Sequence, residues 1–165
     1  MDKSIITYSK GLTVALTRLC RNNCAYCGFR KEEEQLEVPY TVIKRCKIAR
    51  KTNSREVLIM AGERPDRSNT LRAKLDVWGY ESYIEYIYSV CELIFLEGLL
   101  PNLNVGYLTE QEIQVVRRIT PVFTIMLESG SQDFLSKGPH ANSPYKTLES
   151  RLEMIRNAGV GKVPV

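Results

Sequence analysis

Short apolar runs alternate with amphipathic helical patterns four times along this chain, and that alternation restricts the fold more than any other feature. Residues 11–16 (GLTVAL), 56–60 (EVLIM), 103–105 (LNV) and 122–127 (VFTIML) read as strands. Helical patterns follow them. Pro39 opens one with Val42, Cys46 and Ala49 on a single face. Tyr80, Tyr83, Ile84, Ile87, Cys91, Ile94 and Phe95 mark the second, with Gly98 placed to cap it. Thr109 and Glu112 form a capping box at the head of the third. Leu148, Leu152, Ile155 and Ala158 mark the fourth, which Gly159 should stop. Residues 63–76 and 128–146 read as long loops. The alternation predicts an α/β fold, a parallel sheet with helices outside it. Right-handed crossovers would wrap four βα units into half a barrel. A closed eight-unit barrel takes roughly 250 residues. The 165 residues present therefore predict one truncated domain, residues 1–165. Residues 163–165 would begin a fifth strand and leave an open edge near Val163.

Composition narrows the class. A hydrophobic share of 44% and a charged share of 25% describe an ordinary soluble globular protein. The net charge of +4 is mild, and no basic block is interleaved with aromatics, so nucleic acid is not an expected partner. No stretch is long and apolar enough to span a bilayer, and the first ten residues lack the apolar centre of a signal peptide. The expected location is the cytoplasm. There, five cysteines read as metal ligands or buried thiols rather than disulfides, and the odd count agrees.

Cys20, Cys24 and Cys27 stand as CxxxCxxC directly after the first strand, the position where βα barrels carry functional loops. Cysteine thiolates hold iron–sulfur clusters. Three this close can take three corners of a cubic 4Fe–4S cluster and leave the fourth iron open to a small chelating molecule. A structural zinc ion is the competing reading. It needs a fourth ligand, for which Cys46, Cys91 and His140 are the candidates. Cys46 and Cys91 fall on apolar helix faces, where a buried thiol is an ordinary core residue. Spacing and context favour the cluster. His140, the one histidine, sits in a polar loop and reads as a surface residue, with a substrate-side role as the alternative. Tyr80 and Tyr83 read as packing residues.

Residues 16–27 (LTRLCRNNCAYC) resemble the signature of radical S-adenosylmethionine (SAM) enzymes, in which the residue before the third cysteine is usually aromatic, as Tyr26 is here. Residues 17–30 (TRLCRNNCAYCGFR) are similar to the cluster loop of that superfamily's deazaflavin-forming synthases, the 7,8-didemethyl-8-hydroxy-5-deazariboflavin synthase family. Gly62-Glu63-Arg64-Pro65-Asp66 resembles the family's Gly-Asp/Glu-Arg-Pro-Glu element. Residues 98–106 (GLLPNLNVG) resemble its Gly-Leu-Leu-Pro-His-x-Asn-x-Gly. Met126-Leu127-Glu128-Ser129, Ser143-Pro144-Tyr145-Lys146 and Arg151-Leu152 also match. The triplet of cysteines points to the superfamily, and the ordered later elements point to the synthases.

The resemblance implies the N-terminal part of a radical SAM partial (β/α) barrel of about four βα units. It implies a 4Fe–4S cluster on Cys20, Cys24 and Cys27, with SAM on the open iron. Gly62 and Glu63 would meet the SAM amino group and Glu128 the ribose hydroxyls, with Ser129 a weaker candidate beside it. Arg151 would clamp the SAM carboxylate. Arg64, Pro65 and Asp66 would line the substrate side, and no side chain is singled out as catalytic. The implied chemistry is cleavage of SAM to methionine and a 5′-deoxyadenosyl radical. That radical takes a hydrogen atom from a tyrosine-derived ribityldiaminouracil adduct, and cyclisation with loss of ammonia gives the deazaflavin of coenzyme F(420) biosynthesis. The implied partners are that small molecule, a one-electron donor protein and the adduct-forming subunit.

Members of that family are about twice as long, and even a six-unit partial barrel exceeds four units. Their glycine-rich fifth-strand motif is absent here. A fragment is the preferred explanation, ahead of a split subunit or a degenerate paralogue. Two other functions stay open. One is a sister radical SAM enzyme, either the adduct-forming subunit or a menaquinone-pathway relative. The other is a non-catalytic metal-binding remnant.

Overall fold

Burial alternates along the strands and so decides which face of the sheet is dry. The computed structural model describes residues 6–33 and 36–165. The reading of the first ten residues falls partly on residues 1–5, which lie outside the described residues. Strands β1 (Gly11–Thr17), β2 (Glu56–Ala61), β3 (Leu100–Asn104) and β4 (Val122–Phe123) form one parallel sheet in that order. Val14 pairs with Ile59, Ile59 with Leu103, and Leu103 with Phe123. These four side chains form a row across the sheet, each no more than 1% exposed.

Helices cover that dry face. The helices are α1 (Pro39–Lys51), α2 (Asn69–Val77), α3 (Tyr83–Leu96), α4 (Glu110–Val116), α5 (Gln132–Lys137) and α6 (Leu148–Val160), of which α5, whose buried Leu135 lies outside this core, does not join the cover. α1 packs on α3, α3 on α4, and α4 on α6. The expected face of α1 is the buried one, Val42, Cys46 and Ala49. α3 contributes Tyr86, Ile87, Val90, Cys91 and Ile94 to the same core. Burying a large apolar side chain is worth about 1.5–3 kcal/mol, so this row and its covering helices dominate the stability. Cys46 and Cys91 are fully buried core residues. The Thr109–Glu112 capping box is formed in both directions at the head of α4. Gly98 takes a positive φ of 76° just after α3. An α/β fold with a parallel sheet and about four βα units is therefore what the chain adopts. No described helix is long and apolar enough to cross a membrane.

Several boundaries differ from the sequence reading. Residues 63–76 are not a loop throughout: a 3-10 turn (Pro65–Arg67) leads into α2, whose Leu71 and Leu75 bury one turn apart. Two apolar side chains in a polar run are too few to show a helical period. Residues 128–146 likewise contain α5, anchored by Leu135 alone and capped by Ser131. β3 starts at Leu100, earlier than expected. β4 pairs over only two residues, Val122 with Asn102 and Phe123 with Leu103. Met126 and Leu127, expected in that strand, are 50% and 37% exposed. α3 begins at Tyr83, so Tyr80 precedes it, and Phe95 is half exposed. α6 passes through Gly159 and stops before Gly161, with Arg151, Met154 and Ala158 as its buried face. Residues 163–165 form no strand. Even so, the Pro164 carbonyl accepts the Phe123 N–H at 2.9 Å and Val163 is buried, so the chain itself partly covers the expected edge.

Candidate functional site

In a parallel sheet all strands point one way, so the segments leaving them gather at one end. β1 leads into the cysteine loop, β2 into Gly62 and Glu63, β3 into Gly106 and Tyr107, and β4 towards Glu128. These segments, with Arg151 from α6, surround a cleft of about 300 Å³. Its floor is the sheet face opposite the core, through Met60, Asn104 and Thr124. Cys20, Cys24 and Cys27 all line it, as do Gly62, Glu63, Glu128 and Arg151. The structure therefore brings together seven of the eight residues singled out from the sequence. Ser129 does not line the cleft; its hydroxyl accepts from the Ser131 N–H. Arg64, Pro65 and Asp66 also lie outside it. The Arg64 guanidinium instead binds Glu112 and Asp66, each at 2.7 Å.

The cysteine loop has no regular secondary structure and is held by backbone bonds to distant segments. The Asn23 N–H donates to the Asn142 carbonyl (3.0 Å), and the Ala25 N–H to the Pro139 carbonyl (2.8 Å). The Arg18 side chain donates to the carbonyls of Phe29 (2.7 Å) and Gly28 (3.0 Å), closing the loop on itself. Cys24 Sγ lies 3.1 Å from Ser143 Oγ. Cys20 Sγ accepts the Glu63 N–H at 3.1 Å. Burial pushes the Cys20 thiol above its ordinary pKa, against the N–H groups of Glu63 and Asn22. Among the described residues, no three His, Cys, Asp or Glu side chains converge on a single-ion site. A tetrahedral zinc would need sulfurs about 2.3 Å from one centre, whereas a cubane takes each thiolate on a different iron.

Close approach of β2 to this loop depends on Gly62. A Cβ there would sit 1.8 Å from the Leu19 carbonyl oxygen, which is backbone and cannot swing aside. Gly62→Ala is expected to destabilise the fold by about 1–3 kcal/mol through overpacking, read as a lower denaturation midpoint. Gly106 has a positive φ of 83°, and a Cβ there would lie 2.6 Å from Glu63 Oε1.

Glu63 is 4% exposed and Arg151 2%. Arg151 Nη2 donates to Glu63 Oε2 at 2.5 Å, and Asn22 Nδ2 donates to the same oxygen at 3.2 Å. The Tyr107 N–H donates to Glu63 Oε1. Asn22 Oδ1 in turn accepts the Tyr145 N–H at 3.1 Å. Arg151 Nε is buried and has no hydrogen-bond partner.

A second polar group stands at the opposite wall. Glu128 adopts a left-handed φ of 69°, unusual for a residue with a Cβ. Its carboxylate accepts from Lys146 Nζ and from the Tyr26 hydroxyl, the latter at 3.2 Å. Burial works against the charge, but Lys146 and Tyr26 outweigh it and hold the carboxyl below its ordinary pKa. His140 Nε2 lies 3.8 Å from the same carboxylate. Burial nonetheless pulls the imidazole below its usual value. His140 is buried at 4% exposure and packs edge-on against Tyr26, so it is no surface residue.

Asn22, Tyr107 and Lys146 were not given roles in the sequence reading. Their partners lie 41, 44 and 18 residues away, and no local pattern encodes such pairs. The one available signal was Asn22 itself, a polar residue between two cysteines.

No family model matches the chain. Its sequence is 38% identical, over 97% of its length, to the 7,8-didemethyl-8-hydroxy-5-deazariboflavin synthase of Methanopyrus kandleri, of which it covers 50%. For the protein of the same name from Archaeoglobus fulgidus the identity is 38%, covering 97% of this chain and 48% of that one. For Methanobrevibacter smithii the figures are 32%, 99% and 50%. The chain spans about half the length of these curated relatives. Among solved structures, it is similar to the FeFe-hydrogenase maturase HydG from Carboxydothermus hydrogenoformans. The TM-score is 0.71 at 20% identity, covering 94% of this chain and 35% of HydG. Methylornithine synthase (PylB) also gives 0.71, at 14% identity, covering 93% of this chain and 42% of that one. These structural likenesses show a shared fold. By sequence, across nearly all of its own length, this chain is a relative of the 7,8-didemethyl-8-hydroxy-5-deazariboflavin synthases and spans about half of theirs.

Proposed function

We propose that this chain carries the cluster- and SAM-binding portion of a radical SAM synthase that forms the deazaflavin chromophore from a tyrosine-derived ribityldiaminouracil adduct, with release of ammonia. The observation that supports it most is the convergence of three thiols and a buried guanidinium on one cleft at the carboxyl ends of the strands. The donor set fits the group. Cys20, Cys24 and Cys27 take three irons, and the N–H of Glu63 on Cys20 Sγ is the kind of bond that tunes a cluster's potential. When bound, the cluster supplies the electron that cleaves SAM into methionine and a 5′-deoxyadenosyl radical.

The chain's own residues bind and orient. Arg151 presents a buried, unpartnered Nε, a donor suited to the SAM carboxylate. Gly62 brings its strand end against Leu19 and Cys20 of the cysteine loop and is the proposed contact for the cationic amino group. Glu128 and Ser129 are the ribose-side candidates, with Glu128 on the cleft wall. A one-electron donor protein and the adduct-forming subunit are the proposed partners, and the cytoplasm the proposed setting, where thiols stay reduced.

The test is anaerobic reconstitution with iron and sulfide, followed by electron paramagnetic resonance of the reduced protein with and without SAM. The expected result is a cubane spectrum that shifts on SAM addition, with 5′-deoxyadenosine formed under reducing conditions. One equivalent of zinc and no cluster spectrum would overturn the reading. Synthetic adduct, offered to the chain alone and together with the remaining half of a relative, then reports deazaflavin by its fluorescence.

A further inference from the structure

We propose that Glu63 is a positioning residue whose buried carboxylate, closed by Arg151, Asn22 and the Tyr107 N–H, locks the cysteine loop to α6. One residue would thereby set both a cluster sulfur and the guanidinium that faces the cleft. The proposal rests on the cluster and SAM reading above, and it gives Glu63 a different task from meeting the SAM amino group.

The carboxylate is already held on both oxygens. Oε2 accepts from Arg151 and Asn22, and Oε1 accepts from Tyr107. All three partners are donors, so three of the carboxylate's roughly four acceptor sites are taken before any ligand arrives. The main chain of the same residue grips the cysteine loop twice: its N–H donates to Cys20 Sγ at 3.1 Å, and its carbonyl accepts the Arg21 N–H at 2.8 Å. Glu63 therefore touches the cysteine loop through both its main chain and its side chain, and α6 through its side chain. Asn22 extends the lock to the Tyr145 N–H, on the segment that also binds Asn23 and Ala25. With Nη2 tied to Glu63, Arg151 keeps Nε free of any partner. Gly106 leaves the space this carboxylate occupies. A glutamate held on both oxygens by three donors is placed to orient its neighbours.

Two variants of the reconstituted chain test this. Glu63→Gln keeps the shape but must turn an NH2 group towards a donor. Glu63→Asp keeps the charge but is one methylene too short to reach Arg151 and Tyr107 together. Both are expected to weaken SAM binding about 10–100-fold, the usual range for a group that orients a first ligand. In Glu63→Asp the cluster spectrum without SAM should match the parent, while its shift on SAM addition is lost at the parent's saturating concentration. Amide hydrogen exchange should accelerate at Tyr107 and Tyr145 well beyond any change in β1 and β2. A merely structural defect would accelerate the strands as much as Tyr107 and Tyr145 and change the SAM-free spectrum as well, and that pattern overturns the proposal. Parent-like SAM affinity in Glu63→Asp also overturns it, whether or not Glu63→Gln folds. If the parent itself shows no SAM-dependent spectral shift, the underlying site reading fails first and takes the proposal with it.

Discussion

Replacing Arg151 with alanine is expected to destabilise the fold by about 3–5 kcal/mol, because it leaves a buried carboxylate without its countercharge. The side chains of the pair are only 3% and 4% exposed, so water cannot take the place of the guanidinium. A domain of this kind is stable by about 5–15 kcal/mol in total, so one substitution removes a large share. Urea denaturation measures it as a lower midpoint with an unchanged slope. A loss under about 1 kcal/mol, the scale of an exposed ion pair, would mean that water reaches Glu63 and the pair is not sealed. Replacing both partners with apolar residues should recover much of the stability, since a buried pair is costly to break and cheap to remove whole.

Cys24→Ala has the opposite profile: a large effect on function and a small one on folding. Cys24 is only partly buried, and its sulfur meets Ser143 Oγ directly at 3.1 Å. Losing that contact should cost about 1 kcal/mol or less. On the proposed ligand set, one corner of the cluster would be lost with it, and no neighbouring cysteine could replace it. Cys46 and Cys91 are locked in the core between α1, α3 and the sheet, away from the cleft. The expected result is a folded chain whose SAM-dependent spectral shift and 5′-deoxyadenosine formation are both abolished. A variant that retains both would remove Cys24 from the ligand set.

Strong periodic segments were legible in advance. α1 and α3 have apolar residues at helical spacing and glycine or proline at their ends, so local chemistry and burial agree. The capping box of α4 was legible for the same reason, since its two halves sit three residues apart. α2 and α5 were not. Each buries one or two leucines inside a polar run, and it is the neighbouring elements that make those turns worth forming. The length of β4 was also hidden, because an apolar run does not record how much of it finds a ladder partner. Of the site, the thiols and the strand-end positions of Gly62 and Glu63 were readable from order along the chain, whereas Glu128, expected at the end of the fourth strand, lies five residues past Phe123, where β4 stops. The occupation of the Glu63 carboxylate and the burial of His140 were not readable.

The amino-acid order alone determined the alternating α/β plan, the helix-covered core and the place of the cysteine triplet after the first strand. These follow from apolar period and turn chemistry, which act over a few residues. Only the folded chain decided which polar groups face each other across the strand ends. Arg151 and Glu63 are 88 residues apart, and Tyr145 and Asn22 are 123 apart. A buried charge must find its partner wherever the sheet and crossovers bring one within reach, and no local spacing records that meeting.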